Sequence, residues 1–568
     1  MRKQGADWSE KKNPSIESST NPRSPQGRIP HVIDDGKKLR HPRSWVRPAL
    51  AAFSGALAGC TALTVAELVS VRVRPQAGPV VAVGSAAIDR TPPAVKDWAI
   101  RNFGTDDKLV LQLGILAVLA LLALALGLLA LRHIRSAAAG VLLFGVVGGL
   151  AATSRPDSAG ITDAVPSLAG AAAGAVTLFL LVSRLTAART ETGAETGESG
   201  AGDEPGWDRR GFVITAVAAA AASTGAGTLG RHLNGSTARD AVASREDVVL
   251  PAPGSPAPAT PKGAGLRIGG ISPFITPTDD FYRVDTALVV PKVDASTWRL
   301  RIDGLGVGKA VSLSYDDLLR RDLIERDITL TCVSNEVGGP YVGNARWIGV
   351  PLAPLLAECG VRAPSEGGPA DQLVSRSVDG MTIGSPVEDV MDGRDALLAL
   401  GMNGRPLPFE HGFPARMVVP GLYGYVSACK WIEDIELTTF DAYDAYWVKR
   451  DWAREAPVKT QSRIDTPKPF ARPRTGTVMV AGVAWAQNRG IDKVEVRVDD
   501  GGWQEARLAA EDSRDTWRQW SFAWQATKGS HTLTVRATDR TGAVQTEKRT
   551  RTVPDGADGR HSVVVTVE

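Results

Sequence analysis

Cysteine is scarce in this chain, with four residues among 568, and this scarcity excludes a scaffold built on disulfide bonds. Net charge is small as well, because 65 Lys and Arg face 62 Asp and Glu, which leaves a formal charge of +3. A near balance of this kind gives no reason to expect nucleic-acid binding as the main role. Average composition therefore excludes more than it identifies.

One long apolar run lies near the N-terminus. Residues 109–131 read LVLQLGILAVLALLALALGLLAL, and about 20 apolar residues are enough to cross the hydrocarbon core of a bilayer as a helix. Four weaker Ala-, Gly- and Val-rich segments surround it, at residues 48–71, 136–152, 164–182 and 211–230. We predict an N-terminal all-α transmembrane bundle of about five helices over residues 48–230. A buried soluble helix is the alternative for each of the first three weaker segments.

Basic residues predict the orientation of this bundle. The tail formed by residues 1–47 carries eleven Lys and Arg, and we expect it to be disordered and cytoplasmic. Five spans then place everything after residue 230 outside the cytoplasm, in a multi-pass protein of the cell membrane. Arg209 and Arg210, followed by Gly211, Phe212 and Val213, resemble a twin-arginine export signal. An ordinary stop-transfer helix with flanking arginines is the alternative.

Composition divides the remainder into a linker and two domains. Residues 231–265 contain a Pro-rich stretch, which predicts a semi-rigid linker. Strand and helix signals are mixed irregularly over residues 266–465 and favour an α+β domain. Alternating apolar residues and hairpin signals over residues 466–568 predict an immunoglobulin-like β-sandwich without paired cysteines.

Cys332 ends a predicted strand, where a side chain can be held rigidly towards a cleft. A lone cysteine is often a small buried packing residue. No CxxC or HxxxH pair accompanies it, which argues against zinc, and a Cys–His nucleophile would depend on His411 alone. The residue type by itself leaves its role open.

Three sequence blocks around Cys332 share one resemblance. The first contains Cys332, then Asn335, then Arg346-Trp347 before an apolar helix. The second, residues 402–437, contains Asn-Gly, Pro-Leu-Pro, His-Gly-Phe-Pro-x-Arg, Val-Pro-Gly and Lys-Trp, and the third is residues 276–304. In this order the blocks resemble the molybdenum domain of the sulfite oxidase family of molybdopterin-dependent oxidoreductases.

The resemblance implies a molybdopterin cofactor with Cys332 as the metal ligand and catalytic centre, which suits a soft thiolate on a redox-active metal. By resemblance, Tyr446 and Trp452 are the further catalytic residues, at the substrate. The residues implied in pterin binding are Tyr282, Arg283, Asp285, Thr286, Asn335, Asp379, His411, Arg416 and Lys430. The C-terminal sandwich resembles the family's dimerisation domain, so we expect a homodimer.

The chain departs from the family at the substrate site. Val337 stands where an arginine is expected and Glu336 precedes it, so a sulfite dianion should be repelled. An S-oxide reductase acting on a methionine-sulfoxide-like molecule is the alternative within the class, and the direction of the reaction stays open. From another class, the alternative is a non-catalytic membrane-anchored adhesion protein.

We expect electrons to be exchanged with a separate partner, a haem protein or a membrane quinone. The predicted spans offer no histidine pair, since His133 and His232 sit at helix ends, and no haem is predicted in this chain.

Overall fold

The computed structural model describes residues 45–91, 95, 102–103, 107–155, 158, 160–186 and 208–568. Residues 1–44, nearly all of the predicted basic tail, lie outside the described residues.

The N-terminal region is helical. Its helices are α1 (Val46–Val73), α2 (Pro79–Arg90), α3 (Asp107–Ala130), α4 (Ile134–Thr153), α5 (Val165–Thr186) and α6 (Arg209–Glu246). Among the described residues, five helices are long and apolar enough to cross a membrane: Val46–Val73, Lys108–Ala130, Ile134–Thr153, Ile161–Thr186 and Arg209–Gly230. They coincide with the five predicted segments to within a few residues. Their outer faces carry exposed leucines such as Leu121, 66% exposed, and Leu150, 65% exposed, which is compatible with insertion into lipid.

Small residues allow these helices to pack at short interhelical distances, as is usual for helices that pack within a membrane. A Cβ added to Gly55 in α1 would lie 2.0 Å from the carbonyl oxygen of Ala123 in α3. A Cβ added to Gly127 in α3 would lie 2.2 Å from the carbonyl oxygen of Ala51 in α1. The two backbones therefore touch where each helix has glycine.

The predicted linker over residues 231–265 is helical in its first half and hydrogen-bonded to the following domain in its second half. Helix α6 continues to Glu246, where the Arg245 guanidinium donates to the carbonyl oxygens of Leu407 at 2.6 Å and Pro406 at 2.9 Å. Ser255 then forms a parallel bridge with Ile324, and its amide donates to the carbonyl of Leu323 at 3.3 Å. Backbone hydrogen bonding, which composition does not reveal, ties this segment to the following domain.

Two sheets, one mixed and one antiparallel, build the α+β domain, as predicted. One has the order β2-β1-β10-β5-β6, with β1 parallel to β10, and the other the order β3-β4-β7-β8, with β9 also paired to β7. The strands are β1 (Arg299–Gly304), β2 (Val311–Ser314), β3 (Ile324–Thr331), β4 (Val342–Pro351), β5 (Gln372–Ser377), β6 (Thr382–Pro386), β7 (Leu397–Met402), β8 (Arg405–Pro406), β9 (Arg416–Val418) and β10 (Ile432–Thr438). Short helices join them: α7 (Tyr315–Leu319), α8 (Leu352–Glu358), α9 (Val387–Met391) and α10 (Gly424–Ser427).

A β-sandwich of two four-stranded sheets follows, in the orders β11-β12-β16-β15 and β14-β13-β17-β18. Its strands are β11 (Gln461–Thr466), β12 (Gly476–Trp485), β13 (Ile491–Val498), β14 (Gln504–Glu505), β15 (Arg507–Leu508), β16 (Arg518–Ala526), β17 (Gly529–Asp539) and β18 (His561–Val567). Trp520, Val480, Val494 and Val535 are buried between the sheets. The predicted boundary at residue 466 is displaced, because β11 pairs with β12 from Gln461 onwards and so belongs to the sandwich.

Candidate active site

A short closed loop holds Cys332 directly after β3. The Cys332 amide donates to the carbonyl of Tyr341 at 3.0 Å, and the Asn335 amide donates to the carbonyl of Cys332 at 3.0 Å. The Asn335 side-chain oxygen accepts from the Tyr341 amide at 2.8 Å. Cys332 is 8% exposed and faces a cavity. Asn335 therefore shapes the loop and is not among the residues that line the cavity.

The β-sandwich supports this loop from behind. Arg463 of β11 donates to the carbonyl oxygen of Gly339 at 2.8 Å. His561 of β18 packs so closely on Gly338 that a Cβ there would lie 2.2 Å from its ring, and Gly338 has φ +81°. Both domains consequently position Cys332.

The cavity encloses about 850 Å³ of space, part of it open to solvent. It brings together Cys332 and most of the residues that the sequence predicts. Those lining it are Tyr282, Asp285, Thr286, Asp379, His411, Arg416, Lys430 and Trp452.

Two buried cations give this cavity its charge. Burial lowers the pKa of Arg416 to about 10 and that of Lys430 to about 8, so both still carry positive charge near neutral pH. Arg416 Nε is buried and has no hydrogen-bond partner among the described residues, while its guanidinium lies over the Trp347 ring at 5.0 Å. A buried, incompletely paired guanidinium fits an anionic group of a ligand.

Asp285 links the cavity to the N-terminal helices. Its carboxylate accepts from Lys430 Nζ at 2.8 Å and from Lys108 Nζ, which also donates to the carbonyl of Ala287 at 2.7 Å. Burial would raise the pKa of Asp285, but the ammonium groups of Lys430 and Lys108 outweigh it and hold the pKa at about 2. Lys108 comes from the start of α3, and the family blocks give no signal for it.

His411 and Cys332 are neutral without a metal. Burial, reinforced by Arg416 and Lys430, lowers the pKa of His411 to about 4, and its Nε2 lies 3.2 Å from the carbonyl oxygen of Thr278. Burial also raises the pKa of the Cys332 thiol, and hydrogen bonds from Ser334 only partly oppose this. A bound metal would convert that thiol to the thiolate. The donor set therefore fits a thiolate-ligated metal on an anionic cofactor.

Two of the remaining predicted residues lie elsewhere. Arg283 is exposed and does not line the cavity. The hydroxyl of Tyr446 donates to Asp89 of α2, and Arg450 lies 3.5 Å from the Tyr446 ring centre. Tyr446 therefore faces the helical region and not the Cys332 cavity, so its predicted substrate role does not fit. Glu336 is exposed and does not line the cavity, whereas its neighbours Val333 and Ser334 do.

Aromatic residues that the sequence reasoning misses complete the cavity. Tyr425 and Trp447 line it beside Trp452, with ring centres 5.5 Å and 6.2 Å from the Trp452 ring. Trp447 lies five residues before Trp452, and that spacing between two tryptophans is the one signal that could have indicated it.

Comparisons agree with this site. Residues 287–447 match the family described as the oxidoreductase molybdopterin binding domain, and residues 461–535 match the bacterial Ig domain. The chain thus contains the molybdopterin-binding domain of a molybdenum-dependent oxidoreductase, and an Ig-like domain follows it.

Sulfite oxidase from Gallus gallus is 31% identical over 322 residues, which cover 47% of this chain and 69% of that protein. The chain belongs to the sulfite oxidase family. Mitochondrial sulfite oxidase from Mus musculus is 32% identical over 293 residues, 44% of this chain and 53% of the mouse protein. The chain thus spans about half the length of the mammalian relatives it matches. The sulfane dehydrogenase SoxCD from Paracoccus pantotrophus has a TM-score of 0.44 at 27% identity, covering 52% of this chain and 83% of that one.

Proposed function

We propose that this protein is a membrane-anchored molybdopterin-dependent oxidoreductase whose catalytic domain lies outside the cytoplasm. The observation that carries the proposal is the buried Cys332 facing a cavity that also contains Arg416, Lys430 and His411. When bound, the molybdopterin would supply a centre that exchanges an oxygen atom and two electrons with the substrate.

The residues of the chain would divide the work of holding this cofactor. Cys332 would be the protein ligand of the metal. Arg416 and Lys430 would bind the anionic end of the pterin, the first through a planar guanidinium and the second as a point charge that Asp285 orients. Neutral His411 would hydrogen-bond to a polar ring edge of the pterin. Thr286, Asp379 and Tyr282, which line the same cavity, would complete this binding.

The lining of the cavity also bears on the substrate. Tyr425, Trp447 and Trp452 form an aromatic group beside Cys332, whereas Val337 supplies no cation. Aromatic edges and faces are good partners for thioether-like sulfur and poor ones for a small dianion. We therefore favour an S-oxide or a related sulfur compound over sulfite.

Two assays test cofactor and substrate separately. Purified protein from a host that makes molybdopterin should contain molybdenum, and Cys332→Ser should lose most of it while Cys359→Ser, a buried cysteine away from the cavity, keeps it. A metal-free wild type would overturn the proposal. Methionine sulfoxide turnover with a reduced dye should exceed sulfite turnover with an oxidised acceptor, and the reverse ranking would favour an oxidase.

Placement and partners extend the proposal. Arg209 and Arg210 begin α6 behind Asp208, which caps the helix by accepting from the Gly211 amide at 2.8 Å. If they act as an export signal, changing both to lysine leaves the catalytic domain protected from external protease; unchanged exposure would favour plain insertion. A homodimer formed by the sandwich remains a prediction that the mass of the detergent-solubilised protein would test.

A further inference from the structure

A second cavity, of about 1440 Å³ and partly open to solvent, lies where the N-terminal helices meet the molybdopterin domain. The helices contribute Val81 and Ser85 from α2, and Arg155 from just beyond α4. The domain contributes the extended stretch 286–292. Neither region forms this cavity alone.

Polar contacts fix the two regions on either side of it. Lys108 Nζ bonds to the Asp285 carboxylate and to the carbonyl of Ala287. Asp89 accepts from the Tyr446 hydroxyl and lies 3.4 Å from Arg450 Nη2. These contacts hold the helices and the molybdopterin domain together, and so they fix the walls of the cavity.

The second cavity adjoins the Cys332 cavity. Thr286, Asp379 and Met381 line both. An occupant of the second cavity would be separated from the molybdenum site by one layer of side chains, which is a short path for electrons.

Its place in the fold points to the bilayer as the source of the occupant. Three membrane-length helices have their ends on this side: α1 ends at Val73, the α3 span begins at Lys108 and α4 ends at Thr153. A fixed haem would need ligands here, and neither His133 nor His232, the two histidines of the helical region, lines the cavity. A mobile lipid-soluble carrier needs no such ligands.

The lining matches a quinone head group, a flat apolar ring with two carbonyl oxygens. Leu288, Val290 and Val81 supply apolar surface, and Arg155 supplies a cationic donor. Two-electron reduction of a quinone also takes up two protons, and the carboxyl groups of Glu67 and Asp89 line the cavity where protons would be exchanged.

We propose that this cavity binds a membrane quinone or quinol, which is the two-electron partner of the molybdenum site. The inference rests on the proposed function. In the reductive direction, quinol plus S-oxide gives quinone, sulfide and water: two electrons and two protons leave the quinol, and the S–O oxygen leaves as water. In the oxidative direction the same balance runs backwards.

Menadione is the probe for the test, added to the full chain in nanodiscs. Titration calorimetry, with empty nanodiscs subtracted, should show saturable binding at one site per chain. Ser85→Phe, which places a ring in the cavity, should weaken binding at least ten-fold. Ala87→Phe is the matched control on α2, because Ala87 does not line the cavity. This variant should bind menadione as tightly as the wild type. Val81→Phe tests the same wall independently.

A second readout separates this inference from the proposed function. Turnover of methionine sulfoxide is measured with menadiol and with reduced benzyl viologen, a dye that needs no quinone site. The ratio of menadiol to dye turnover should fall at least ten-fold in Ser85→Phe and stay constant in Ala87→Phe. Dye turnover without menadione binding or menadiol turnover would overturn the inference and leave the function intact. Binding without any turnover would support the cavity and count against the function.

Discussion

Replacing Lys108 with methionine tests whether the helical region stabilises the cofactor site. Lys108 is the contact through which α3 reaches Asp285, whose side chain is 3% exposed, whereas the Lys108 side chain is 23% exposed. A hydrogen bond to a charged group contributes about 1.5–3 kcal/mol, and breaking a buried pair can destabilise by more, because the remaining charge is left short of partners. Asp285 keeps Lys430, so we expect a loss of about 2 kcal/mol.

For a domain of roughly 150–250 residues, about 2 kcal/mol corresponds to a fall in Tm of about 4–8 °C. The measurement is thermal unfolding of the detergent-solubilised full chain by near-ultraviolet circular dichroism, together with its pterin content. Lys108→Arg keeps the cation and should recover most of the loss. Lys262→Met, at an exposed lysine, is the control for removing a charge. If Lys108→Met unfolds within about 1 °C of wild type, the helices do not support the site through this contact.

Three further predictions concern single positions. Gly338→Ala should lower the free energy of unfolding by about 1–3 kcal/mol and reduce the molybdenum content, because the added Cβ meets His561. Gly367→Ala is the control: it also has φ +81° but lies in open space, so it should show the backbone strain alone. Gly127→Ala should lower the Tm of the helical region, because its Cβ meets the Ala51 carbonyl, whereas Gly114→Ala on the same helix meets nothing. Asp539 is buried, which raises its pKa, but bonds from Thr460, Thr541 and Arg489 hold the pKa well below its usual value. The resulting stability is present above about pH 4 and is lost as the pH falls through the folded pKa, so Asp539→Asn should lower Tm at pH 7 and differ less from wild type in acid.

Each of these has a clear contrary result. Equal Tm values for Gly338→Ala and Gly367→Ala would remove His561 from the support of the Cys332 loop. Equal values for Gly127→Ala and Gly114→Ala would mean that α1 and α3 do not touch at Gly127. A Tm difference for Asp539→Asn that is independent of pH would mean that the carboxylate charge does not matter.

Local patterns in the sequence predicted much of this molecule. The apolar run at residues 109–131 located α3, because so long an uninterrupted apolar stretch favours one long helix. The ordered motifs around Cys332 and His411 located the residues that share one cavity. Both signals are local, and each is read from one stretch of chain.

Contacts between segments that are distant in the sequence could not be predicted from these local patterns. Lys108 reaches Asp285 across 177 residues, and Asp89 reaches Tyr446 across 357. Helix α2 has 12 residues, too few to span a bilayer, so its apolar pattern gave no reason to expect a docking element. Proline content likewise does not reveal that Ser255 pairs with Ile324.

Helix α6 has a mechanical consequence. It runs without a break from the membrane-length segment that ends at Gly230 to Glu246, and Arg245 fastens it to the catalytic domain. These 16 residues rise about 24 Å, so, if the apolar segment spans the bilayer as we propose, they form a rigid spacer of fixed length between the membrane and the catalytic domain. One inserted residue would turn the attachment at Arg245 by about 100°, out of register with the contacts at Lys108 and Asp89, whereas four would leave a turn of about 40°. Helix α6 therefore fixes the rotation of the catalytic domain as well as its distance, and a flexible tether of equal length would not replace it.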